Sequence, residues 1–111
     1  MQISKDFLKN GEMNEVDLNG KSVLVANVDG KYYAVGNVCH HMRCKLHRGT
    51  LAGNIVECPC HGSRFDVTDG KLIGWLKSTS NDLLRALRFF GWAKDLQVFE
   101  CLLEGDKVNI E

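Results

Sequence analysis

The chain has 111 residues, enough for one domain (1–111) with a modest core. Its 14 Lys and Arg balance 14 Asp and Glu, so no global charge favours nucleic acid or an acidic membrane surface. No apolar run approaches transmembrane length, and Met1-Gln2-Ile3-Ser4-Lys5-Asp6 opens no signal-peptide pattern, so a soluble, cytoplasmic protein is expected.

In chain order the pattern is mostly β. Lys21 to Val28 reads as a strand, Asp29-Gly30 as a tight turn and Lys31 to Val35 as the partner strand. Asp-Gly between two such runs is a strong hairpin signal. Asn54 to Glu57 and Arg64 to Val67 are shorter strands, and Thr68-Asp69-Gly70 turns the chain back. Ser80-Asn81-Asp82 then has the character of a helix N-cap with an acidic first turn. Leu83, Leu84, Leu87 and Phe90 recur at helical spacing, which predicts one short helix near residues 81–90 that Gly91 ends. Such a helix would pack on the sheet. Its Arg85, Arg88 and neighbouring Lys94 alternatively make a basic, aromatic docking patch. Strands over Leu96 to Leu103 and Lys107 to Ile110 complete the chain, joined through Glu104-Gly105-Asp106. There is no repeat, low-complexity tract or second domain.

Chemistry concentrates in two stretches. Cys39-His40-His41 and, after sixteen intervening residues, Cys58-Pro59-Cys60-His61 each supply one cysteine and one histidine. Two thiolates and two imidazoles from two loops make a four-ligand metal site from Cys39, His41, Cys58 and His61. Adjacent side chains would not converge on one site, so His40 is expected to face away, and His40 and His47 read as exposed surface histidines. Zinc accepts a Cys₂His₂ set, although its pairs usually come as Cys-x₂₋₄-Cys with His-x₃₋₅-His rather than one of each per loop. Iron–sulfur and zinc are therefore both open on spacing. Cys101 stands in a strand-like run and reads as an inert core residue.

The whole arrangement resembles the Rieske family, whose [2Fe–2S] cluster has two Cys on one iron and two His on the other. The resemblance includes Cys44, three residues after His41, Cys60 between Cys58 and His61, and Gly62-Ser63 immediately after. It covers residues 20 to 73 convincingly. It implies antiparallel sheets, a cluster-binding subdomain at about 38–66, and the ligands Cys39, His41, Cys58 and His61. Histidine ligation leaves the oxidised cluster less negative than four thiolates would, which raises the potential to roughly −150 to +300 mV.

The resemblance also implies a disulfide between Cys44 and Cys60 that ties the two loops together. A reducing cytosol argues instead for two free thiols. Ser63 matches a serine whose hydroxyl donates to a bridging sulfide and raises the potential; as plain turn chemistry it would do neither. Phe65 stands where relatives with the highest potentials carry a tyrosine, so one donor is missing and a potential below the top of the range is implied. Two features depart from the respiratory members: they usually carry an N-terminal membrane anchor, and many have a proline-rich loop where this chain has residues 74 to 95. Arg43, Lys45, Arg48 and Arg64 cluster near the ligand loops, either to steer an acidic redox partner or as a solvated charge set.

The function implied is a soluble Rieske-type ferredoxin, a one-electron carrier rather than an enzyme. Its partner would be a reductase, an oxygenase or another oxidoreductase, and no nucleic acid. The alternatives are a small Rieske subunit of a larger oxidoreductase and a zinc-stabilised interaction module.

Overall fold

The computed structural model describes residues 1–38, 44–60, 62–74 and 95–111. Its middle layer grows from the Asp29-Gly30 turn, where both residues take positive φ, 53° and 86°. That is the conformation a two-residue hairpin turn requires. The turn joins β3 (Lys21–Val28) to β4 (Lys31–Gly36) in antiparallel register from Val28↔Lys31 to Val23↔Gly36. A second hairpin, through Asn19-Gly20, adds β2 (Met13–Leu18), again with positive φ at both turn residues. On the far edge β9 (Val98–Phe99) pairs with β4, which gives the order β2-β3-β4-β9.

Two further antiparallel sheets flank this layer. One is β1 (Gln2–Ser4), β11 (Lys107–Ile110) and β10 (Cys101–Glu104), in the order β1-β11-β10. The other is β5 (Thr50–Ala52), β6 (Ile55–Glu57), β7 (Arg64–Asp66) and β8 (Leu72–Gly74), paired in sequence. The described residues thus form an all-β fold of antiparallel sheets, with one 3₁₀ turn at Leu46–Arg48. The short helix expected near 81–90 lies outside the described residues.

The single strand expected over Leu96 to Leu103 is divided. Residues 98–99 pair with β4 and residues 101–104 pair with β11. Glu100 is the break, and it exchanges two backbone hydrogen bonds with Glu111, both 3.0 Å. A chain passing from one layer to the next must turn its pairing edge, and a strand that changes sheets does so at such a bend.

Alternation along β3 explains the two cores. Successive strand side chains point to opposite faces, so Leu24 and Ala26 join one cluster while Val23 and Val25 join the other. The first cluster sits between the middle layer and the β5–β8 sheet and includes Val35, Leu46, Val56, Cys58, Phe65, Val67 and Leu72. The second lies against β1, β10 and β11 and includes Ile3, Tyr32, Phe99, Val108 and Ile110. Fully burying such a side chain stabilises the fold by about 1.5–3 kcal/mol. Phe65 and Cys58 share the first cluster, so the site is built on packed core.

Candidate metal centre

Both loops that carry the expected ligands are closed at their base by backbone pairing. The first leaves β4 through Asn37 and Val38. Val38 pairs in antiparallel fashion with Lys45, and the Leu46 N–H donates to the Asn37 carbonyl at 2.7 Å. The second links β6 to β7, whose last pair is Glu57↔Arg64. Beyond it the Cys58 N–H donates to the Ser63 carbonyl at 2.8 Å, and the Gly62 N–H to the Cys58 carbonyl at 3.1 Å. Gly62 takes φ of 75°, which a residue without Cβ adopts freely.

The two bases touch. A Cβ built on Gly49, at the end of the 3₁₀ turn, would lie 1.9 Å from the Glu57 carbonyl oxygen. Any side chain there would force the return limb of the first loop away from the second. Above this contact a disulfide joins Cys44 to Cys60, with Cα atoms 6.4 Å apart. The bridge implied by the family resemblance is therefore formed, and the free-thiol reading of these two residues is set aside.

Cys58 is not part of that bridge and is 3% exposed. The sulfurs of Cys44, Cys58 and Cys60 all lie within 4.8 Å of one another. Ser63 is 1% exposed and Phe65 is fully buried beside Cys58 in the first core. Of the four expected ligands, Cys58 is described; Cys39, His41 and His61 lie outside the described residues, as do His40 and Arg43.

Several neighbours depart from their sequence reading. His47 is half-buried rather than exposed, because its backbone N–H and ring nitrogen both meet the Asn37 side chain. Lys45 belongs less to a free basic cluster than to an ion pair with Glu15 of β2. That pairing, with the Ser22 hydroxyl adding a second hydrogen bond, holds the Glu15 carboxyl at about 2 instead of 4.5. Arg48 and Arg64 are exposed as expected. Cys101 is half-buried against the second core, and burial pushes its thiol up to about 11. Sequence reasoning missed Glu15, Asn37 and Gly49, which act between segments far apart in the chain. An Asn directly before a ligand loop and a Gly directly after it were the faint local signals.

Taken together, these observations define an antiparallel β protein with two cross-linked loops around a buried, unbridged thiol, the architecture of a metal-cluster domain. The family model for the Rieske [2Fe-2S] domain matches residues 2–100, and the chain belongs to that family. The family's cofactor is a [2Fe–2S] cluster. The one described ligand fits it, since Cys58 offers a soft sulfur ligand shielded from water and not consumed in the bridge. A buried thiol would suit zinc equally; it is the family match that sets the zinc reading aside.

Among known proteins, the ferredoxin component of the naphthalene 1,2-dioxygenase/salicylate 5-hydroxylase systems of a Ralstonia species is 38% identical over 68 residues. That alignment covers 61% of this chain and 65% of the relative, so the match spans just under two thirds of that protein. A Sphingomonas yanoikuyae B1 ferredoxin structure superposes with a TM-score of 0.76 at 25% identity, covering 97% of this chain and 92% of that one. A chain in a complex of reduced oxygenase and oxidized ferredoxin of carbazole 1,9a-dioxygenase superposes over all of both chains with a TM-score of 0.79 at 23% identity, a likeness of fold. No helix among the described residues is long and apolar enough to cross a membrane.

Proposed function

We propose that this chain is a cytoplasmic one-electron carrier, rather than an enzyme in its own right, that passes electrons between a reductase and an oxygenase. Cys39 and Cys58 hold one iron, and His41 and His61 hold the other. Residues 1–111 act as a single domain whose cluster-binding part is about 38–66, the stretch that supplies both loops and strands β5 to β7. When bound, the cluster supplies a one-electron couple in the range of roughly −150 to +300 mV.

The observation that carries this reading is the buried Cys58 thiol beside the Cys44–Cys60 bridge, at the meeting of two loops closed by their own backbone pairing. The chain's residues have separable tasks there. Cys58 supplies a sulfur ligand at the core edge of the loop. The bridge keeps the loops together without help from regular secondary structure. Ser63, buried six residues after Glu57 closes β6, carries the hydroxyl that would donate to the cluster, while Phe65 fills the core and offers none. The oxygenase setting is supported by the ferredoxin components of dioxygenase systems among the relatives.

A potentiometric titration of the purified protein tests the proposal. It predicts a reversible one-electron couple within the Rieske range, and reduced protein that then gives its electron to a Rieske-type oxygenase. A protein that takes up no electron between about −400 and +300 mV is not a carrier of this kind.

A further inference from the structure

A polar cluster grips the base of the first loop. Asn37 is fully buried. Its side-chain oxygen accepts the His47 backbone N–H at 2.9 Å, which makes its nitrogen the donor end. That nitrogen lies 2.9 Å from Ser22 Oγ, 3.2 Å from Glu15 Oε2 and 2.9 Å from His47 Nδ1. The Asn37 main chain is engaged as well, its N–H donating to the Ser22 carbonyl at 3.1 Å and its carbonyl accepting the Leu46 N–H at 2.7 Å. Glu15 Oε2 also accepts from the Ser22 hydroxyl and from the Lys45 ammonium.

The membership of this cluster is informative. Glu15 and Ser22 belong to the β2–β3 hairpin. Asn37 is the residue before the loop, and Lys45, Leu46 and His47 are the residues after it. One carboxamide therefore holds both limbs of the loop to a rigid two-stranded edge. An irregular loop has few backbone partners of its own, so the hydrogen bonds at its base decide how its two limbs are set.

We propose that Asn37, backed by Glu15, is the positioning residue of the first ligand loop: it fixes both limbs on the β2–β3 hairpin and so sets the register in which Cys39 and His41 are offered to the cluster. The proposal rests on the carrier reading above. A buried amide whose hydrogen bonds are all made specifies one arrangement, and it becomes costly when one partner is changed.

Asn37→Asp tests it with little change of shape. The variant keeps the acceptor for the His47 N–H but turns an acceptor toward the Glu15 carboxylate, where a donor stood. Glu15→Gln in the same background supplies a new donor to that carboxylate. In the purified full-length protein, hydrogen exchange at Leu46 and His47 should quicken by about tenfold in Asn37→Asp, the equivalent of roughly one lost hydrogen bond. Exchange in β3 should stay unchanged. The midpoint potential and the EPR signal of the retained cluster should shift, and both readouts should return toward the parent in the double variant. Exchange that rises evenly through the core, or a retained cluster of unaltered potential, would make Asn37 a stability residue and overturn the proposal alone. A parent protein without iron and sulfide would overturn the carrier reading and this proposal together, and it would show before any variant is made.

Discussion

Replacing both bridge cysteines, as Cys44→Ala with Cys60→Ala, isolates what the cross-link contributes. The two residues are 16 apart in sequence. In the chain-entropy account, closing a loop of that size removes unfolded-state freedom equivalent to about 3 kcal/mol at 25 °C. Regular pairing offsets little of this, because the loop bases are closed by a few backbone bonds at Val38, Leu46, Cys58 and Gly62 and not by long strands. The double replacement leaves no unpaired thiol at either end of the bridge and keeps Cys58. Urea unfolding of the cluster-free chain should therefore lose up to about 3 kcal/mol. With a slope of about 1–3 kcal/mol per molar urea, the midpoint drops by up to about 1–3 M. The parent measured with a strong reductant should approach the variant. Cluster loss from the variant should also be faster, since the loops then hold together through the Gly49–Glu57 contact and their own bases. A variant whose urea midpoint matches the oxidised parent would refute the reasoning, because the bridge would then constrain nothing the unfolded chain could use.

Three further outcomes follow. Ser63→Ala should lower the midpoint potential and Phe65→Tyr should raise it, each by roughly 60 mV for a hydrogen bond of about 1.5 kcal/mol; potentials within a few millivolts of the parent in both would show that neither hydroxyl matters. Glu15 has its carboxyl held at about 2 against 4.5, chiefly by Lys45. Its ionised form favours the fold, so this contribution is full above pH 4.5 and is lost as pH falls toward 2. The melting-temperature gap between the parent and Glu15→Gln should accordingly narrow across that window, and a gap constant with pH would contradict the ion pair's role. Burial lifts the Cys101 thiol to about 11, so at pH 8 it should alkylate far more slowly than a free thiol in the unfolded chain; equal rates would show that β10 does not shield it.

Much of this was legible from residue type and spacing, because the signals were local. Asp29-Gly30 marks the central hairpin, and two Cys/His stretches mark two loops. The Asn19-Gly20 turn, with Glu15-Val16-Asp17-Leu18 before it, is the same kind of local signal but went unread, and it builds β2. What could not be read depends on tertiary partners. The strand-like run from Leu96 to Leu103 looks like one strand, and it divides because residues 98–99 and 101–104 find different sheets. Lys45 looks like one member of a basic cluster until Glu15, thirty residues away in sequence, claims its charge. His47 looks like a surface histidine until Asn37 is found beside it. Gly49 is an ordinary loop glycine until the Glu57 carbonyl is seen against it. Cys44 and Cys60 carried an implied pairing from their family pattern, and the geometry of the two loops realises it.

The central claim is that Cys39, His41, Cys58 and His61 hold a [2Fe–2S] cluster. Iron, zinc and acid-labile sulfide assayed on one purified sample, with an EPR spectrum after reduction, test it most directly. The account predicts about two iron and two sulfide per chain, with the low average g-value of mixed histidine and cysteine ligation. Stoichiometric zinc with no sulfide, in a colourless protein, would contradict it.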